Sequence, residues 1–360
     1  MKITGVKIKT MEIPLLEPFR ISSGASSISL TSIIELETDE GLTGYGEGVA
    51  SRYVTGENLE GMVNAINVLV RSIIGLNPLD LEQIYWTMEG LMVRNSGAKA
   101  AVDIAIHDLV GKILRQPIYR LLGGYRDYFL TDLSLGISDP ETMAQKSKKA
   151  VEQGFDTIKI KVGTTFKEDI SRVKTIREAV GPDIVLRVDA NQAWSPKEAL
   201  KIIDKIAEFD LEFVEQPVPA WDIDGLAYVT ERSPVPIMAD EAVLNARDAF
   251  RVIKEHGADL INIKLMKCGG IREAIKINTI AEASGVKCML GCMISETNVS
   301  VTAAASLGAA LKNIMTGDLD SIFALKELPV KGGVSAQGKK LMLPQAPGLG
   351  LETDLLFRKI

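Results

Sequence analysis

Short β-rich runs recur at a nearly constant interval from residue 131 to residue 316. They are Thr131 to Ile137, Thr157 to Val162, Ile184 to Val188, Glu212 to Val214, Val235 to Met238, Leu260 to Ile263, Lys287 to Leu290 and Asn313 to Thr316. One strand, one helix and two short loops fill about that interval, so eight such units predict a (β/α) barrel. A doubly wound open sheet is the alternative. It is weakened because no Gly-x-Gly-x-x-Gly opens a helix after the first strand.

The first part of the chain has a different pattern. A strand is predicted from Ile3 to Ile13, followed by a Gly/Ser-rich loop over residues 20–27 and a hairpin that turns at Asp39-Glu40-Gly41. Helices are expected at about residues 57–74, 80–91 and 97–114. Strands followed by helices favour an α+β domain, and Gly123-Gly124 marks its boundary. The predicted division is residues 1–124, a barrel at 125–322 and a C-terminal segment at 323–360.

The scarce residues exclude several kinds of site. The chain has two histidines and three cysteines, so a three-histidine zinc site, a four-cysteine cluster and a disulfide framework are all ruled out. The formal net charge is −6, and no basic block is present. The N-terminus alternates like a strand rather than a signal peptide, and no apolar run could span a bilayer. We therefore expect a cytoplasmic homo-oligomer that binds no nucleic acid and no membrane.

Charged residues stand where the predicted strands end. Taking one residue near each end gives Ser134, Lys161, Asp189, Glu215, Asp240, Lys264, Gly291 and Asp318. Catalytic groups of (β/α) barrels lie at this edge of the sheet. Asp189, Glu215 and Asp240 end three successive strands about 4.8 Å apart, so their carboxylates can converge. Three hard oxygen ligands without histidine suit Mg²⁺, although unrelated surface carboxylates remain an alternative.

The lysines complete the predicted site. Lys159 and Lys161 lie two apart on the second strand and face the same side, where each ammonium disfavours the charge of the other. This predicts a lysine pKa lowered towards neutrality, unless the run is a solvated edge strand with protective lysines. Lys264 ends the sixth strand, half a turn around the barrel from Lys161. A Mg²⁺-chelated carboxylate flanked by two amines suits removal of an α-proton and its return to the opposite face through an enediolate.

Five segments carry a resemblance to a known family. They are Lys159-Ile-Lys161, Val188-Asp-Ala-Asn-Gln-Ala-Trp194, Val214-Glu-Gln-Pro217, Met238-Ala-Asp-Glu241 and Ile263-Lys-Leu-Met-Lys-Cys-Gly-Gly270. They resemble the enolase superfamily, muconate lactonizing enzyme subgroup, over nearly the whole chain. The resemblance implies an α/β fold, a (β/α)₇β modified TIM barrel with an N-terminal α+β capping domain completed by the C-terminal tail. Pro347-Gly-Leu-Gly350 resembles that tail. The family resemblance also implies that Asp189, Glu215 and Asp240 bind Mg²⁺. It implies that Lys161 and Lys264 are the acid/base pair and that Lys159 is their pKa-tuning neighbour.

Within the subgroup the chain looks most like a dipeptide epimerase. Asp318-Leu-Asp320 resembles the Asp-x-Asp that holds a substrate's free ammonium in that branch; a helix N-cap aspartate is the alternative. Relatives acting on Ala-Glu carry a basic residue in a mobile capping loop, where this chain has Gly24, so a neutral, hydrophobic or cationic second residue is expected. The candidate substrate-binding residues are Asp318, Asp320, Ser295, Glu296, Gly24, Ser134, Met293 and Asn191.

The expected partner is thus a small dipeptide. Other activities of the subgroup remain open, namely cycloisomerase, N-acylamino acid racemase and o-succinylbenzoate synthase. A lysine Schiff-base lyase on the same barrel needs one lysine and no metal. A non-catalytic descendant that only binds ligands is the third alternative.

Overall fold

The N-terminal region consists of an antiparallel sheet packed against helices. In the computed structural model, which describes residues 1–352, strands β1 (Ile3–Ile21), β2 (Gly24–Thr38) and β3 (Thr43–Val49) pair in sequence order. Helices α1 (Leu59–Ile73), α2 (Leu81–Leu91), α3 (Ser96–Ile113) and the short α4 (Ile118–Leu121) follow. Ile34, Leu36, Ile66 and Ala101 belong to the apolar core between the sheet and these helices. The predicted α+β arrangement is therefore present.

The predicted Gly/Ser-rich loop over residues 20–27 is wrong. Strands β1 and β2 continue through it, with Phe19 opposite Ser26 and Ile21 opposite Gly24, so only residues 22–23 form the turn. Glycine and serine are typical of loops, but their small side chains also fit a hairpin whose cross-strand bonds come from the backbone. The result is a long hairpin in place of a mobile loop.

The second part of the chain forms the predicted barrel. After β4 (Tyr128–Leu130) its strands are β5 (Leu133–Leu135), β6 (Thr157–Lys161), β7 (Val185–Asp189), β8 (Leu211–Glu215), β9 (Ile237–Ala239), β10 (Leu260–Lys264), β11 (Lys287–Gly291) and β12 (Ile314–Asp318), all parallel neighbours in chain order. The intervening helices are α5 (Pro140–Glu152), α6 (Phe166–Val180), α7 (Pro196–Ile206), α8 (Ile223–Arg232), α9 (Ala246–Lys254), α10 (Leu265–Cys268), α11 (Ile271–Ala283) and α12 (Asn298–Ala310), and α13 (Ser321–Ala324) follows β12. Thr131, two residues before β5, forms a parallel bridge with Gly317 of β12 and so brings the two ends of the sheet together. The open-sheet alternative is excluded.

Alternation along the barrel strands separates an apolar outside from a mixed inside. On β6, Ile158 and Ile160 belong to the large core cluster shared with the helices, while Lys159 and Lys161 take the alternate positions. A smaller apolar cluster contains Phe213, Met238 and Met289. Charged residues then occupy the carboxyl ends of the strands.

The C-terminal segment returns to the N-terminal domain as expected. Its strands are β13 (Lys331–Gly332), β14 (Ser335–Gln337), β15 (Lys340–Met342) and β16 (Leu351–Glu352). Gly348 bonds through its backbone to Gln116 and Ile118, and the Leu349 amide donates to Asp108 Oδ1 at 2.7 Å. A Cβ at Gly348 would lie 2.2 Å from that same oxygen, so only glycine fits here. The last eight residues of the predicted segment, 353–360, lie outside the described part.

Glu47 on β3 joins the N-terminal domain to the barrel. Its buried carboxylate accepts hydrogen bonds from Thr31 Oγ1, the Thr297 amide and hydroxyl, and the Ser300 amide at 2.6–3.2 Å. Thr297 is the N-cap of α12, so a carboxylate from another domain satisfies amides that the helix leaves unpaired. Within residues 1–352, the structure gives no helix long and apolar enough to cross a membrane.

We expect Glu47→Gln to destabilise the protein by about 2–3 kcal/mol, because an amide nitrogen then faces buried N–H donors and a charged acceptor is lost. Urea unfolding followed by circular dichroism measures the change. Glu152→Gln, on the exposed face of α5, is the matched control and should stay within about 0.5 kcal/mol of the wild type. A Glu47→Gln variant as stable as that control would contradict the assignment.

Candidate active site

The parallel register brings the predicted charged residues to one edge of the barrel. Lys161, Asp189 and Glu215 are the last residues of β6, β7 and β8 and stand in register with each other. Asp240 immediately follows β9, and Lys264 ends β10. All five are buried. The regular interval between the predicted strand ends therefore corresponds to a row of charged side chains along one edge of the barrel.

Asp189, Glu215 and Asp240 form a compact trio of carboxylates. Each offers an oxygen that lies within 4.8 Å of the others, and all three side chains are almost completely inaccessible. Burial and the charge of Asp189 raise the pKa of Glu215 to about 7. Bringing three anionic oxygens together without water is unfavourable unless cations balance them, and this hard oxygen donor set fits Mg²⁺.

Lysines balance the trio in the structure. Lys161 Nζ lies 2.5 Å from Asp189 Oδ2, and Lys264 Nζ lies 2.7 Å from Asp240 Oδ2. Lys267 Nζ contacts the other Asp240 oxygen at 2.5 Å. Burial alone would lower the pKa of Lys264, but Asp240 holds that pKa above its ordinary value. Lys267 was missed by the sequence reasoning, although it lies only three residues after Lys264 in the quoted motif.

Lys159 is surrounded by carboxylates from several strands. Its Nζ lies 3.2 Å from Asp189, 2.7 Å from Glu215 and 2.6 Å from Asp318. Burial opposes its charge, yet these carboxylates hold the pKa of Lys159 well above its ordinary value. The sequence predicted that one lysine of the Lys159 and Lys161 pair has a lowered pKa, and Lys159 is not that lysine. That prediction considered the neighbouring ammonium on the same strand and could not include acids brought in by β7, β8 and β12. Lys159 is buried, so the alternative of a solvated edge strand does not apply.

Ser134 on β5 forms hydrogen bonds with Asp318 and Asp320, where the first and last strands of the barrel approach each other. The Ser134 amide donates to Asp320 Oδ2 at 2.5 Å, and its hydroxyl donates to Asp318 Oδ1 at 2.9 Å. Asp320 occupies the N-cap position of α13 but makes no side-chain cap bond there, so the N-cap alternative does not describe its contacts. Burial and the charge of Asp318 raise the pKa of Asp320 to about 7. A cation placed here would relieve that repulsion.

Asp132 is a third buried acid in this cluster. Burial raises the pKa of Asp132 well above its ordinary value, even though Arg187 Nη1 lies 2.6 Å from its Oδ2. The sequence reasoning did not identify Asp132, because it precedes β5 and stands outside the strand-end pattern. The sequence feature that could have identified Asp132 is its position two residues before Ser134, on the same face of the predicted first barrel strand.

A cavity of about 340 Å³ opens above the lysines. Lys161, Lys264, Asn191 and Glu241 contribute polar groups, and the Asn191 amide donates to Glu241 Oε1 at 3.2 Å. The hairpin of β1 and β2 and the segment 49–54 form the opposite wall. Ser22 Oγ donates to the Asn191 carbonyl at 2.9 Å, which attaches the hairpin tip to the loop after β7.

The remaining predicted binding residues divide into two groups. Gly24, Asn191, Met293 and Ser295 line the cavity. Ser134, Asp318, Asp320 and Glu296 do not. Glu296 is buried in its own loop, where it accepts from the Met293 amide at 2.7 Å, so Ser295 rather than Glu296 faces the cavity. The one-residue offset in this loop could not be resolved from the sequence. Arg20, near the tip of the hairpin opposite Ala25, also lies outside the lining.

Comparison with known proteins covers both domains. Residues 3–123 match the model of the mandelate racemase/muconate lactonizing enzyme N-terminal domain, and residues 142–356 match the enolase C-terminal domain-like model. A hydrophobic dipeptide epimerase of Enterococcus faecalis is 51% identical over 98% of this chain and 99% of its own. An L-Ala-D/L-Glu epimerase of Clostridium acetobutylicum is 42% identical over 98% and 99%.

A solved structure shares the whole architecture. The Enterococcus faecalis dipeptide epimerase complexed with Mg and the dipeptide L-Leu-L-Tyr superposes with a TM-score of 0.96 at 50% identity. The match covers 98% of this chain and 100% of that one.

Glu215→Gln should weaken Mg²⁺ binding at least about 100-fold, because even residues that only orient metal ligands change affinity 10- to 100-fold. Isothermal titration with Mg²⁺ alone measures this. Glu208→Gln, the same change at an exposed position just before β8, is the matched control and should bind within about twofold of the wild type. Equal losses in both variants would contradict the metal assignment.

Proposed function

The chain belongs to the mandelate racemase/muconate lactonizing enzyme family of the enolase superfamily, and we propose that it is a Mg²⁺-dependent dipeptide epimerase. It inverts the α-carbon of the C-terminal residue of an L,L-dipeptide by a 1,1-proton transfer. The observation that carries this proposal is that Lys161 and Lys264 line one cavity from strands β6 and β10, on either side of the carboxylate trio. Two amines on opposite faces of one carbon are what inversion requires.

The trio of Asp189, Glu215 and Asp240 would hold the metal ion. When bound, Mg²⁺ neutralises charge that develops on the substrate carboxylate and so makes the α-proton more acidic. One lysine, as a neutral amine, accepts that proton while the C–H bonding electrons move into the enediolate. The lysine on the other face, as an ammonium, donates a proton to the same carbon. The reaction then ends with the stereocentre inverted and both lysines in exchanged protonation states.

Lys159 has a different part in this proposal. It has no exposed surface, and its Nζ contacts Glu215 and Asp318 at 2.7 and 2.6 Å. It therefore connects the carboxylate trio to the second group of acids, Asp132, Asp318 and Asp320, called the Asp318 cluster. Its charge would contribute to the charge balance of both groups.

The Asp318 cluster supports a substrate with a free ammonium. Its acids lie outside the cavity lining, but Lys159 links them to the metal trio by contacting Asp318 and Glu215. Ser134 donates hydrogen bonds to both Asp318 and Asp320, and burial together with the charge of Asp318 raises the pKa of Asp320 to about 7. A dianionic substrate would add to this repulsion. A dipeptide ammonium would instead form charge-assisted hydrogen bonds with the two carboxylates.

The walls of the cavity favour an apolar second residue. Phe19, Ile21, Ile28 and Leu30 face it from the hairpin, and Met293 and Ile294 face it from the loop after β11. Apolar side chains bury favourably against such walls, whereas an unpaired charge would lose its hydration. The hydrophobic dipeptide epimerase among the relatives agrees with this substrate class.

We also propose a biological setting for this enzyme. The three thiols are free and buried, and the net charge is −6, which supports a cytoplasmic enzyme that does not bind nucleic acid. Trp86 on α2 and Val93 just after it are exposed apolar residues seven positions apart, which supports a homo-oligomer. We further propose that the chain divides into a capping domain at residues 1–124, a barrel domain at 125–322 and a C-terminal segment at 323–360. The separate N-terminal sheet supports this division.

Lys161→Ala and Lys264→Ala should each lower epimerisation at least about 1,000-fold, because each removes the proton carrier of one face. Incorporation of deuterium at the α-carbon in D₂O, followed by mass spectrometry of both diastereomers, measures this. Lys167→Ala, at an exposed position of α6, is the control. A single variant that still epimerises at the normal rate would refute the two-base assignment. Chelator-resistant turnover with a borohydride-trapped adduct would favour the Schiff-base lyase instead.

Asp320→Asn should lower kcat/KM for a free dipeptide about 10- to 100-fold, which corresponds to losing one charge-assisted hydrogen bond to the ammonium. The N-acetylated dipeptide has no ammonium charge. The variant should therefore reduce the gap between the two substrates, defined as the ratio of kcat/KM for the free dipeptide to kcat/KM for the N-acetylated one. Parallel kinetics on L-Ala-L-Phe and its N-acetyl form measure the gap. Asp224→Asn on α8 is the control. An unchanged gap would refute ammonium binding by Asp320.

A further inference from the structure

Gly24 and Tyr53 approach each other at the mouth of the cavity. Gly24 begins β2, and Tyr53 lies in the segment that follows β3. A Cβ placed on Gly24 would lie 2.7 Å from Tyr53 Oη and 2.9 Å from Cζ, closer than real Cβ atoms come to any neighbour. The tyrosine ring therefore occupies the space that a side chain at position 24 would need.

The glycine is not required by the backbone here. Gly24 lies in the paired part of the hairpin opposite Ile21, and its φ is outside the left-handed region that favours glycine. Any small residue could adopt this conformation. A larger residue at position 24 is thus disfavoured by the Tyr53 ring, which would have to shift to make room for it.

Tyr53 is placed to contact a bound ligand. Both Tyr53 and Gly24 line the cavity that contains Lys161 and Lys264. The tyrosine is 59% exposed, which is a large fraction for an aromatic residue that lines the same cavity as apolar Phe19, Ile21 and Ile28. A ligand side chain in the cavity would cover part of this ring and remove its apolar area from water.

We propose that Tyr53 is a specificity-determining residue whose ring covers the side chain of the dipeptide's C-terminal residue and favours large apolar side chains, and that Gly24 is needed to leave room for it. This inference rests on the proposed function. The competing possibility is that Arg52, which lines the same cavity, selects an acidic side chain.

The test compares kcat/KM for L-Ala-L-Phe with that for L-Ala-L-Ala. Tyr53→Ala should lower this ratio at least about tenfold, the range expected when a hydrophobic pocket loses contact with a substrate group. Gly24→Ala should lower it too, by displacing the ring. The double variant should be no worse than Tyr53→Ala, because the glycine acts only through the tyrosine. Tyr53→Phe keeps the ring and should retain most of the ratio.

Phe250→Ala is the matched control, because Phe250 is also 59% exposed and lies outside the cavity lining. It should leave the ratio unchanged. A Tyr53→Ala ratio within twofold of the wild type, or additive effects of the two single changes, would overturn the inference alone. A wild-type preference for L-Ala-L-Glu that Arg52→Ala abolishes would also overturn it. A wild-type protein that exchanges no dipeptide α-proton would overturn the proposed function as well.

Discussion

Charge balance at the carboxyl edge of the barrel is the constraint on which the site depends. Seven buried titratable groups lie there, each in contact with at least one of the others: Asp189, Glu215, Asp240, Lys159, Lys161, Lys264 and Lys267. An isolated buried charge costs several kcal/mol, so removing one of these groups leaves its partner less well balanced. The parallel register keeps the balance local, because strand neighbours end at the same height. The same balance leaves the trio ready for a divalent cation, since a metal ion supplies positive charge where lysines now do.

The N-terminal domain completes the site but contributes none of these charges. It is attached to the barrel by hydrogen bonds at the edges of the cavity, through Glu47 to α12, Ser29 to the Ser295 carbonyl and Ser22 to the Asn191 carbonyl. Two of these bonds end on residues that line the cavity. The barrel therefore holds the reacting groups, and the hairpin of the other domain forms the wall against which a side chain lies. Changes in substrate preference can arise in the hairpin without altering the charge balance.

Much of the fold and the strand-end residues could be predicted from the sequence, because a 24- to 28-residue period and charged residues at strand ends are local patterns. The helices of the first domain were also predicted within about two residues. What failed depended on contacts distant in sequence. The pKa of Lys159 depends on acids from three other strands, and the loop over residues 20–27 became a hairpin through its pairing. The orientation of Glu296 follows from its bond to the Met293 amide, and the role of Tyr53 from its proximity to Gly24.

The bond between Leu349 and Asp108 has a consequence for the order in which the chain folds during synthesis. Helix α3 is made early, yet the buried Asp108 carboxylate receives the Leu349 amide only after residue 349 has left the ribosome. Until then the amino-terminal domain has an incompletely satisfied carboxylate and an open surface at Gly111, where Gly348 later lies. The first domain to be translated therefore gains this hydrogen bond only when nearly the whole described chain has been made. A nascent chain stalled before residue 349 would present that unfinished surface to chaperones.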